Sequence, residues 1–173
     1  RGMMLAIAFE SLVKLFAFLA VGIFVTWGLF GGFNDLFERA AASPALEQYW
    51  QQQVPWIGLM LQIAIAMMAF MCLPRQFQVA VVENNNPADL RTARWVFPLY
   101  LLLAGLFVMP ISLAGQLQFG NALNPDSYVI SVPLAEGRPL LALLAFIGGA
   151  SAATGMVIVA AIALSTMVSN DVL

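Results

Sequence analysis

The sequence predicts an all-α membrane protein, and three observations carry that prediction. Hydrophobic residues make up 62% of the 173 residues and charged residues 9%, with a mean hydropathy of +0.90, whereas ordinary globular domains carry about 25% charged residues. Four apolar runs, over residues 3–30, 54–82, 95–119 and 140–168, each reach the ~20 helical residues that cross a bilayer's hydrocarbon. Between them lie segments of turn residues, charges and aromatic side chains, the composition of membrane boundaries.

Composition also excludes chemistry. A net charge of -2 with scattered cations gives no basic patch, so no nucleic-acid partner is expected. A single cysteine, Cys72, rules out an internal disulfide, and the absence of histidine removes the usual zinc and haem ligands and the commonest general base. No pattern points to covalent catalysis, so any enzymatic activity of the full protein belongs to another module. The chain opens at Arg1-Gly2 and closes at Asp171-Val172-Leu173 directly after an apolar run, which predicts a piece of a longer polytopic protein.

The first span, 3–30, is interrupted by Glu10, Ser11, Lys14 and Thr26. Glu10 and Lys14 stand at i and i+4 with the acid on the N-terminal side, the favourable order for pairing on a helix. They read as a structural bridge or as part of a proton pathway, since ionisable groups at membrane depth point to function. Gly31-Gly32 ends the span. Segment 31–53 then mixes apolar and charged residues as a short interfacial helix does, and Ser43-Pro44 starts a further turn because proline suits the first helical position. Tyr49, Trp50 and Trp56 mark a membrane boundary.

The second span, 54–82, carries the lone amide Gln62 and a break at Pro74, with Arg75 beside it. Proline removes a backbone donor and clashes with the preceding turn. In a membrane the freed carbonyls are tolerated where protein or a water-filled cavity satisfies them, which makes Cys72, Leu73, Pro74 and Gln62 the candidate solute pathway, while Gln62 also reads as an interhelical hydrogen-bonding group and Cys72 as a small packing residue. At helical rise, Arg75 lies about 30 Å along from Val54, near the opposite headgroups, and reads as a gate residue. Residues 83–94 form a polar connection. The third span, 95–119, holds Pro98 and Pro110, and Ser112, Gly115 and Gln116 make its far end polar. Segment 120–139 is a loop with a turn at Asn124-Pro125-Asp126 and a short extended piece expected at Tyr128 to Val132. The fourth span, 140–168, contains a run of small residues from Gly148 to Gly155 that allows close helix approach. Placing Arg1, Arg75, Arg91 and Arg94 inside, against Arg39 and Arg138 outside, makes the N-terminus and the 83–94 loop cytoplasmic, with 31–53 and 120–139 external.

Several strings resemble a known family. Phe70 to Arg94 resembles the broken helix and following inner loop of the solute:sodium symporters, and Thr154 to Leu173, with Ala163-Leu164-Ser165-Thr166, resembles their sodium-site helix. Closer still, LPRQFQVAVVENNNPADLRTARW and ATGMVIVAAIALSTMVSND resemble the transporter-type membrane domain fused to bacterial sensor histidine kinases. The resemblance covers nearly the whole chain. It implies an inverted repeat of five-plus-five helices, of which these four spans are a fragment, in a multi-pass protein of the bacterial cytoplasmic (inner) membrane. It also implies a small organic solute, such as an amino acid, as substrate, and partners in the remaining helices, the bilayer and a downstream kinase module. Ser165 and Thr166 match the hydroxyls of the family's sodium site, with Ile162 offering a carbonyl one turn earlier. Neutral oxygens of this kind bind a hard cation reversibly. The same hydroxyls can instead bond to their own helix three or four residues back. Where many symporters have Gly-Gln-Pro-His at the break, this chain has Cys72-Leu73-Pro74-Arg75, so substrate preference does not transfer. Proton coupling through Glu10 and Lys14 stands beside sodium coupling. A stand-alone symporter and a transport-inactive sensory anchor are the alternatives.

Overall fold

The computed structural model describes residues 2–51, 55–73, 87–120 and 122–172. These residues are helical almost throughout and contain no strand. In chain order the elements are α1 (Gly2–Ile23) running into a π-helical segment (Phe24–Leu29), α2 (Phe33–Ala42), α3 (Pro44–Gln51), α4 (Trp56–Cys72), α5 (Pro87–Phe119), a 3-10 turn (Pro125–Ser127), α6 (Tyr128–Ala135) and α7 (Pro139–Val172). Among the described residues, three helices are long and apolar enough to cross a membrane: Leu5–Leu29, Arg91–Phe119 and Pro139–Asn170. At most 28% of each spanning window is buried within the chain. Side chains such as Leu5, Phe9, Leu102 and Val157 face outward, where in an all-α membrane protein lipid takes the place of water. Within 54–82, the described helix α4 has 17 residues and is shorter than the other three.

The chain divides into two units, Arg1–Gln51 with Pro98–Ala153 and Gln52–Phe97 with Thr154–Leu173. The first holds the core, in which Val21, Val25, Leu36, Ala40, Phe107, Ile111, Tyr128 and Val132 are buried together. Glycine makes two of its contacts. A Cβ on Gly22 would overlap the Phe107 ring, and one on Gly115 would overlap the Tyr128 ring, so each aromatic packs directly on a helix backbone, as small residues permit. Tyr128 also stacks on Phe119 at 6.1 Å and donates its hydroxyl hydrogen to Gly120 O at 2.9 Å. That hydrogen bond satisfies the polar end of a buried aromatic. At Gly148, a Cβ would lie 2.7 Å from Ala17 Cβ and 3.6 Å from Lys14 Cα. The expected close approach through the small-residue run is thus made at Gly148 by α1 and α7.

The end of α1 has a local cause. The buried Thr26 hydroxyl donates to Gly22 O at 2.8 Å, and side-chain insertion into the backbone ladder is a recognised source of helix distortion. The Gly32 N–H then closes on Thr26 O at 2.9 Å, with Gly32 at φ +118, a conformation that favours glycine. Asp35, in the first turn of α2, accepts from Gly31 N–H at 2.9 Å, and Arg39 donates to it at 2.9 Å while lying over the Phe30 ring. The contact is like a capping box shifted by one residue, since the N-cap is Gly32 and the acid reaches the N–H of the residue before it. Arg39 holds the Asp35 carboxyl below its ordinary value, with the Gly31 N–H acting in the same sense.

Two expectations are corrected. Tyr128 to Val132, expected to be extended, is the start of α6. The Val/Ile-rich composition favours strands only weakly, and context overrides it: Asn124 caps the preceding turn by accepting from Asp126 N–H, and Tyr128 and Val132 are both buried in the core. Residues Pro87 to Arg94, expected to be connection, are the first turns of α5, for which Pro87 is suited as a starting residue.

In the second unit α4 ends at Cys72, and Leu73 is extended at φ -71, ψ 118 with its N–H bonded to Ala69 O at 3.0 Å. The residue before a proline is biased toward this conformation, so the helix stops where the sequence places Pro74. Pro74 and Arg75 themselves lie outside the described residues. The apolar residues of α4 from Trp56 to Met68 are largely exposed, whereas Val159 and Ala163 of α7 are buried.

Candidate functional site

On α7 the polar groups of interest are hydroxyls and carbonyls. Thr166 is half-buried and its Oγ1 donates to Ile162 O at 2.9 Å. These two oxygens share one face because i and i+4 lie one turn apart. Ser165 is exposed, its side chain turned about a hundred degrees around the helix axis from that of Thr166. The structure therefore brings two of the three candidate cation ligands together on one helix. In this geometry Thr166 gives its proton to Ile162 O and retains oxygen lone pairs to offer a cation. Among the described residues no group of three or more His, Cys, Asp or Glu side chains could hold a metal. A neutral-oxygen set of this kind suits a hard alkali cation better than a transition metal.

The polar residues of α1 form a second group. Glu10, Ser11 and Lys14 are all half-buried. The i,i+4 spacing allows Glu10 and Lys14 to pair, yet among the described residues the one salt bridge is Arg39 to Asp35. Such a pair on a helix contributes only about 0.2–0.5 kcal/mol, too little to hold two partly exposed chains in one arrangement. Ser11 donates to Ile7 O at 3.0 Å, and the Tyr100 hydroxyl donates to Ser11 O at 3.3 Å, tying α5 to α1 beside these residues. Tyr100 was not singled out by its sequence context. Its position eighty-nine residues from Ser11 leaves no local signal.

The residues assigned to the solute pathway have a different setting. Gln62, Cys72 and Leu73 are all exposed on or beside α4. Cys72, which also reads as a small packing residue, is exposed among the described residues. In the first unit, a cleft of about 220 Å³ is lined by Leu46, Trp50, Met109, Ser112, Leu113 and Gln116. Ser112 and Gln116 belong to the polar end of the third span, and Trp50 marks a membrane boundary in sequence, but their meeting is a product of tertiary packing.

The chain matches no protein-family model, no curated protein and no solved structure.

Proposed function

We propose that this chain is the membrane domain of a sodium-coupled symporter for a small organic solute such as an amino acid, acting as the transport and sensing input of a sensor histidine kinase. What supports the proposal is the placement of Ile162, Ser165 and Thr166 within one turn of a long apolar helix, in the stretch that resembles the sodium-site helix of the solute:sodium symporters. Neutral oxygens at membrane depth can replace part of a sodium ion's hydration shell without binding it too tightly to leave. The remaining ligands would come from the other helices of a five-plus-five inverted repeat. In this proposal Cys72, Leu73, Pro74 and Gln62 line the solute pathway, Arg75 gates it, and Glu10 with Lys14 supplies proton coupling if sodium does not drive transport.

The test uses the intact protein in proteoliposomes, with radioactive sodium binding and sodium-driven uptake of a labelled amino-acid mixture as readouts. Ser165→Ala with Thr166→Ala should weaken sodium binding by roughly tenfold or more, the scale of about 1.4 kcal/mol in lost coordination. Equal sodium dependence in wild type and variant would sink the cation site. Sodium binding without uptake would favour a transport-inactive sensory domain. Here the engagement of the Thr166 hydroxyl with its own helix is the observation that favours such a domain.

A further inference from the structure

The cleft of the first unit combines an apolar floor, an anchored aromatic wall and two polar side chains. Leu46 and Leu113 are buried, while Trp50 and Ser112 are exposed and mark the mouth. Trp50 donates its indole N–H to Ala40 O at 3.3 Å, which orients the ring and leaves its carbon framework to line the cleft. Hydrogen bonding inside the cleft therefore falls to Ser112 and Gln116, one turn apart on α5. The hydroxyls of Ser11, Thr26 and Thr166 each donate to the carbonyl four residues back. Among the described residues Ser112 makes no such bond, and the half-buried Gln116 amide has no side-chain partner. Among the described residues no buried side-chain N or O lacks a partner, so the Gln116 amide stays accessible and can offer its hydrogen bonds to a ligand in the cleft.

We propose that this cleft is a binding site for a small neutral amphiphile the size of a single substituted aromatic ring, with one hydrogen-bonding group directed to Ser112 and Gln116. Size and charge select this class. The volume of about 220 Å³ exceeds the roughly 150 Å³ that admits benzene in an apolar protein cavity. It is smaller than the roughly 300–1,000 Å³ of sites for larger ligands. Among the described residues no Asp, Glu, Lys or Arg lines it, so a charged ligand would lose hydration without gaining a partner there. Indole and phenol have the required apolar ring and single polar group. The inference is independent of sodium coupling, because its residues lie apart from Ile162, Ser165 and Thr166 in sequence and belong to the first unit.

The probe is fluoroindole, followed by fluorine NMR with the intact protein in nanodiscs. Binding should be saturable above the partitioning measured in empty nanodiscs. Gln116→Leu should weaken it by up to about tenfold, the scale of one lost hydrogen bond. Ser112→Ala, a small change at an exposed position, should weaken it severalfold and serves if Gln116→Leu fails to fold. Indole acetate, with its carboxylate, should bind more weakly than fluoroindole. A signal that rises linearly with concentration, or affinity unchanged in folded forms of both variants, would overturn the proposal in favour of bilayer partitioning. Sodium does not enter the readout, so failure here leaves the transport proposal standing, and the reverse also holds.

Discussion

Asp35 shows how one side chain joins two helices' ends. Its carboxylate accepts from Gly31 N–H and from Arg39, and the Arg39 hydrogen bond is the larger cause of its lowered pKa. A carboxyl whose folded pKa is depressed favours the fold above its unfolded value, and this contribution is lost as pH falls through the folded value. The thermal midpoint of the wild type should therefore fall below about pH 3.8, the ordinary value, by more than that of Asp35→Asn. The difference between the two pH profiles isolates this group from other carboxyls. It should be small, because the pair is solvent-exposed and screened. Superimposable profiles would remove the cap from the account of the α1–α2 junction.

At the level of elements, docking depends on where a helix lacks a side chain. Gly115 sits under Tyr128, and an added Cβ would enter its ring, whereas Gly149 has no heavy atom within 4 Å of that position. Gly115→Ala should destabilise the first unit by about 1–3 kcal/mol, the range for overpacking a filled contact. Gly149→Ala should change stability little, and its extra helix propensity even acts in the stabilising direction. Equilibrium unfolding in mixed micelles separates the two. Equal effects would mean that α6 is not held against α5 through the Tyr128 ring. The same contact explains why Tyr128 to Val132 is helical despite its strand-like composition: the turn capped at Asn124 delivers Tyr128 and Val132 into the core as parts of a helix.

For the molecule as a whole, the outward-facing apolar helices make the bilayer part of the fold's environment. Trp56 is 76% exposed and Trp95 71%, at the start of α4 and near the start of the third span's apolar run. Tryptophan favours the headgroup region. Single-tryptophan variants retaining Trp56 or Trp95 should be quenched most by lipids brominated near the headgroup and less by lipids brominated near the chain ends. Quenching by aqueous iodide alone would contradict the membrane placement of these helices.

The all-α character, three long apolar helices and several of their boundaries are legible along the chain because hydropathy, glycine and proline act locally. Thus Gly31-Gly32 ends the first span, Pro44 opens α3, and Leu73 is extended ahead of Pro74. Thr166 and Ile162 are also predictable as neighbours, since one helical turn brings them together. Tertiary structure decided the rest. It seated Phe107 on Gly22 and Tyr128 on Gly115, left Glu10 and Lys14 without an ion pair among the described residues, and joined Tyr100 to Ser11. It also gathered Leu46 and Trp50 of α3 with Ser112 and Gln116 of α5 around one cleft. These outcomes depend on which helix faces meet, and periodicity along a uniformly apolar helix leaves that choice open: shape, small residues and unsatisfied polar groups select the partner only once the helices pack.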